Sequence, residues 1–78
     1  MSEKQLIYGT EYGRDSGRFK LWLGDVAKEI INRKEITIAT TGEERAEMIV
    51  KELSHYCLNL KFKHLYKSGK YTATSVFL

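Results

Sequence analysis

The residues best suited to engaging a partner are four lysines near the end of the chain, Lys61, Lys63, Lys67 and Lys70. No acid lies among residues 58–78, so this segment carries +4. Residues 1–35 hold seven basic and six acidic side chains, and residues 36–57 two basic and four acidic, for a net +3 over the whole chain. A one-sign cluster of ammonium groups steers an anionic partner toward itself. The chemistry it fits is contact with phosphates along a polymer, with Tyr8, Tyr12, Tyr66 or Tyr71 to stack on bases or ribose. A second basic pair, Arg14 and Arg18, stands where a loop enters a helix, and backbone N–H groups at a helix start also favour phosphate. The plain alternative is a solvated lysine face, or an edge strand charged to discourage aggregation.

Other chemistry finds little to work with. Gly9, Gly13 and Gly17 precede a helix, but their spacing fits neither a P-loop nor a dinucleotide fingerprint. His55 and Cys57 are two residues apart, so on a helix they do not share a face. His64 falls on a strand and no second Cys/His cluster exists, which argues against a metal. Cys57 reads as a small core residue, and nothing supplies the polarised cleft of a Cys–His pair. Glu43, Glu44 and Glu47 crowd the first turn of a helix, where the dipole accounts for them. The expectation is a protein with no cofactor, no metal and no enzymatic activity.

The elements that position these groups follow from periodicity. Gln5 to Thr10 is short and rich in strand formers. Glu11 to Gly17 is turn-like. Phe19, Trp22, Leu23, Val26, Ala27 and Ile30 recur at helical spacing, with Asp15 or Ser16 to cap the start and Asn32-Arg33-Lys34 at the end. Glu35 to Thr40 predicts a second strand. Thr41-Gly42-Glu43-Glu44 has the form of a capping box before a helix whose stripe is Ala46, Ile49, Val50, Leu53 and Cys57, with Asn59 as a left-handed terminator. Leu60–Lys67 and Lys70–Leu78 alternate, and Ser68-Gly69 between them predicts a two-residue hairpin turn. In that register Leu60, Phe62, Tyr66, Tyr71, Ala73 and Phe77 form a core face. Lys61, Lys63, Lys67, Lys70, Thr72 and Thr74 form the other, interrupted by Leu65 and Val76.

The order β-α-β-α-β-β, with a right-handed first crossover, predicts a two-layer α+β sandwich. In it a mixed four-stranded sheet carries two helices on one face, and the lysine–threonine stripe lies on the other. The 78 residues predict one domain spanning 1–78, small enough that dimerisation would help its stability. Composition is that of an ordinary globular chain, and no apolar run approaches membrane-spanning length. The lone Cys57 makes no internal disulfide, which fits the cytoplasm.

The element order and four local features resemble the Alba family of small nucleic-acid-binding proteins. The features are the strand Leu6-Ile7-Tyr8-Gly9, an apolar helix, Ile36-Thr37-Ile38 running through Thr41-Gly42 into a helix with Ile49, Val50 and Leu53, and a terminal hairpin. Members of that family are dimers that place the loop after strand one on nucleic acid and grip it with two basic hairpins. The resemblance implies loop contacts from Arg14, Arg18 and Lys20 and hairpin contacts from Lys61, Lys63, Lys67 and Lys70. The acids after Gly42 would repel a phosphate backbone, so the footprint must avoid them. The same order resembles the C-terminal domain of bacterial translation initiation factor three and the sporulation stage five S protein.

Residues and resemblance together predict a homodimer that binds RNA or DNA without catalysis. The site residues would be Tyr12, Arg14, Arg18, Lys20, Lys61, Lys63, Lys67 and Lys70. The alternative is a small protein-binding module, such as an adaptor or a phage-type inhibitor of a host protein, for which Leu65, Val76 and Leu78 would supply apolar contact.

Overall fold

The computed structural model describes residues 6–8, 16–57 and 59–78, with backbone alone for 6–8. The elements are β1 (Leu6–Tyr8), α1 (Gly17–Arg33), β2 (Glu35–Thr40), α2 (Glu43–Leu53), β3 (Lys61–Ser68) and β4 (Tyr71–Phe77). The chain is α+β, but the expected four-stranded mixed sandwich needs correcting. The sheet is built on three antiparallel strands in the order β2-β4-β3, and among the described residues β1 adds Leu6–Tyr8, parallel to β2 at Thr37–Ala39.

Both helices pack on one side of that sheet. Phe19, Leu23, Val26, Ala27 and Ile30 of α1 and Ala46, Ile49, Val50 and Leu53 of α2 meet Ile36, Ile38 and Val76 in one buried cluster. The three- and four-residue spacing of the helical set and the two-residue spacing of the strand set make this possible. Phe19 is fully buried and stacks on Trp22 at 5.9 Å between ring centroids. The Arg45 guanidinium of α2 lies 5.5 Å over the same ring, so Phe19 ties the two helices together.

The helix ends show where local chemistry decides. Ser16 caps α1, its hydroxyl accepting from the Arg18 N–H at 3.2 Å. Helix α2 is capped differently from the capping box expected at Thr41. Its cap is Gly42, at φ +114° and without a side-chain bond, while the preceding Thr40 hydroxyl donates to the Gly42 carbonyl at 2.8 Å. The helix also ends at Leu53, and Cys57 belongs to the turn after it, its N–H bonded to the Leu53 carbonyl at 3.0 Å. Asn59 is left-handed at φ +63°.

Lys34 closes α1 at φ +70°, its N–H bonded to the Ile30 carbonyl at 2.7 Å. A residue with a Cβ pays roughly 1–2 kcal/mol for this conformation. Glycine avoids that strain but loses roughly 0.5–1 kcal/mol more in chain entropy on folding. Lys34→Gly is therefore expected to raise the thermal midpoint by about 2–8 °C in a circular-dichroism melt.

The hairpin departs from the expected register. Ser68 pairs with Tyr71, so the turn is Gly69-Lys70 rather than Ser68-Gly69. Gly69 sits at φ +61°, and no positive φ occurs at Lys70, the pattern of a type II′ turn. A second shift occurs between His64 and Tyr66, where Leu65 is left without a partner as a β-bulge. On β4, Thr72, Thr74 and Val76 point into the helix side, opposite Thr40, Ile38 and Ile36 of β2. Ala73 and Ser75 point the other way, opposite Ala39 and Thr37. The single lysine–threonine face does not form, because its threonines are core residues.

Candidate nucleic-acid interface

Strand β3 lies at the edge of the sheet and is exposed along its length, apart from a half-buried His64. Pairing with β4 assigns each of its side chains to a face. Lys61 stands opposite Phe77, Lys63 opposite Ser75 and Tyr66 opposite Ala73, all on the face away from the helices. Phe62 opposite Val76, His64 opposite Thr74 and Lys67 opposite Thr72 lie on the helix side. The unpaired Leu65 causes this change of sides. Regular alternation from Lys63 would send Tyr66 toward the helices, and the extra residue returns it to the lysine face.

The expected core face of the hairpin is corrected on the same grounds. Phe62 and Tyr66 are exposed, Tyr66 at 58%, while Tyr71 and Phe77 are half-buried on the outer face. Leu60 packs against the core from the loop before β3.

The helix side of β3 is held by His64. One ring nitrogen, Nδ1, lies 2.8 Å from the Thr74 hydroxyl, and the other, Nε2, lies 3.2 Å from a Glu47 carboxylate oxygen of α2. Phe62 meets the imidazole edge-on at 5.4 Å. Thr74 is fully buried, so the imidazole satisfies a hydroxyl that would otherwise be costly to bury. The start of α2, with exposed Glu43, Glu44 and Glu47, thus borders the helix side of the hairpin with negative charge. That side is unfavourable to a phosphate backbone. Among the described residues the outer face of the sheet carries Glu35, whose carboxylate accepts a hydrogen bond from the hydroxyl of Ser75, opposite Lys63.

The basic residues expected to act together are divided by the fold. Lys61 and Lys63 share the outer face, Lys67 lies on the helix side, and Lys70 occupies the turn with its ammonium 5.4 Å over the Tyr71 ring. None of Lys61, Lys63 and Lys67 is engaged in an ion pair among the described residues. Arg18 and Lys20 are exposed in the first turn of α1, in the helix layer across the sheet from Lys61 and Lys63. Helix α1 packs on β2 and α2, whereas β3 packs on α2 and β4. Tyr12 and Arg14 lie outside the described residues. Sequence reading missed the bulge and the His64 anchor. The available signal was Leu65 itself, which breaks the lysine alternation where a polar residue was due.

Cys57 is buried, and its nearest hydrogen-bonding contact is the Ala27 carbonyl of α1 at 3.9 Å. Burial pushes its thiol above the ordinary range, which suppresses the thiolate needed for nucleophilic chemistry. Neither histidine is hydrogen-bonded to it among the described residues. Within the same set no group of three or more His, Cys, Asp or Glu is arranged to hold a metal ion, and no helix is long and apolar enough to cross a membrane.

Comparison with known proteins found no matching family model, no matching curated protein and no matching solved structure. The likeness to the Alba family therefore rests on element order and local sequence alone, and fold likeness by itself does not carry function.

Proposed function

We propose that this chain is a non-catalytic nucleic-acid-binding protein that holds the phosphate backbone with its C-terminal hairpin. One observation carries the reading. An exposed edge strand presents Lys61 and Lys63 side by side on the sheet face away from the acidic start of α2, without an ion-pair partner among the described residues. Lysines used only to guard an edge work on either side of a strand; these two share the side away from Glu43, Glu44 and Glu47. Lys70 at the turn and Lys67 at the hairpin rim extend the same positive field. Arg18 and Lys20 are secondary to it, because they occupy the other layer. A cytoplasmic setting belongs to the same proposal, since the one cysteine is kept as a buried thiol.

A homodimer formed by pairing two β3 edges is opposed by charge, because it brings the lysines of both copies together. A homodimer that leaves the hairpins free is compatible with the proposal. The exposed Leu21 (74%) and Ile31 on α1 are among the apolar groups available for it.

A protein-binding module is the second reading, favoured by Leu65 and Phe62 being exposed on the same edge strand. The two readings separate in a fluorescence-anisotropy titration against mixed-sequence RNA and DNA at two salt concentrations. Nucleic-acid binding predicts micromolar or tighter affinity that weakens steeply with salt and tolerates Leu65→Ser. No binding at low salt ends the nucleic-acid reading and leaves the edge strand as a protein contact.

A further inference from the structure

Granting that the hairpin binds nucleic acid, we infer that its ligand is a single strand, with Tyr66 stacking on a base while Lys61 and Lys63 contact the adjoining phosphates. The juxtaposition comes from the bulge. In a regular strand Lys63 and Tyr66, three apart, would face opposite sides; Leu65 places both on the outer face. The same face carries Phe77 beside Lys61 and Tyr71 beside Ser68, each half-buried at an end of β4. Tyr66 is thus an exposed ring near the turn end of the hairpin, with Lys63 and then Lys61 following it on the same face and the Tyr71 ring diagonal to it on the neighbouring strand.

This combination discriminates between strands. A duplex hides the faces of its bases and offers the protein mainly phosphates, to which a tyrosine ring adds little. An unstacked base presents a π-face, and aromatic side chains on a sheet take it with little regard to sequence. Tyr71 lies diagonally across from Tyr66, at about 7–8 Å, within reach of the same or the next base. Ala73 and Ser75 beside it are buried, so the exposed ring of Tyr66 itself is the surface that a base would meet. Charge selects the occupant: +4 over residues 58–78 with no acid suits a polyanion.

The test compares single-stranded and duplex oligonucleotides of the same mixed sequence, in anisotropy titrations with the whole chain at low salt. The expected result is at least ten-fold tighter binding of the single strand. Tyr66→Ala should reduce single-strand affinity by roughly 5- to 150-fold, the range for losing one stacked base, and leave duplex affinity unchanged. Tyr66→Trp should retain the preference, which a merely structural role for the ring would not predict. Equal affinity for the two forms, with Tyr66→Ala without effect, overturns the single-strand assignment while leaving the hairpin a phosphate-binding element. Absence of binding to both forms overturns the nucleic-acid reading itself, and this inference with it.

Discussion

Replacing Phe19 by alanine is expected to lower the thermal midpoint by at least about 12 °C, and in the more severe case to abolish the cooperative transition. The ring is fully buried, stacks on Trp22 and lies under the Arg45 guanidinium, so its removal opens a cavity between the two helices. Phe→Ala changes in cores cost roughly 3–5 kcal/mol, part lost transfer energy and part unfilled cavity. A domain of 78 residues has about 4–12 kcal/mol of stability in total, so this one side chain accounts for a large share of it. Thermal melts by circular dichroism, with urea titration as a second route, measure the effect. A shift below about 4 °C would mean that the helices do not pack through Phe19 and that the core described above is wrong.

The second large effect is on binding rather than stability. Lys61→Ala combined with Lys63→Ala is expected to weaken nucleic-acid affinity about 100-fold at low salt, taking roughly 1.5 kcal/mol for each charge-assisted contact. The slope of log affinity against log salt should flatten by about 1.4–1.8, according to whether the ligand is single- or double-stranded. Both side chains are exposed and engaged in no ion pair among the described residues, so stability should change by less than about 0.5 kcal/mol per substitution. Arg18→Ala combined with Lys20→Ala provides the contrast. These residues lie in the helix layer and should cost much less. Equal losses from the two pairs would mean that the binding surface wraps both layers, as the family resemblance implied.

These two effects fall on different parts of what the sequence made legible. The helical spacing of Phe19, Leu23, Val26, Ala27 and Ile30 marked the core stripe of α1, because a buried helix face imposes a period no other element shares. The strands of the hairpin were equally clear from alternation. Their faces were not. Alternation defines two faces without saying which one meets the helices, and the moved turn shifts the pairing by two, which leaves those faces as they are. Ser68-Gly69 and Gly69-Lys70 both offer a glycine suited to a tight turn, and the structure takes the second, placing Gly69 at the first turn position. Thr72, Thr74 and Val76 enter the core, where the His64 imidazole makes a buried Thr74 affordable. The bulge at Leu65 was invisible for a different reason: an unpaired residue leaves no repeat in the sequence, only a gap in one. The lysines were recognised as a group from charge alone, but their division between two faces depends on that bulge.

The first strand lies partly outside the described residues. Gln5 to Thr10 reads as a strand, and of it Leu6–Tyr8 pair with β2, at the far edge from the hairpin. The antiparallel strands β2, β4 and β3 carry the architecture.

The central claim is that the outer face of the hairpin is the surface that meets nucleic acid. Its most direct test is a two-dimensional amide NMR titration of the whole chain with a short mixed-sequence single strand. The account predicts that shifts concentrate at Lys61, Lys63 and Tyr66, with the neighbouring Tyr71, Ala73, Ser75 and Phe77, and leave Glu43, Glu44 and Glu47 unmoved. Shifts confined to the helix layer, or to Leu21 and Ile31 on α1, would contradict it.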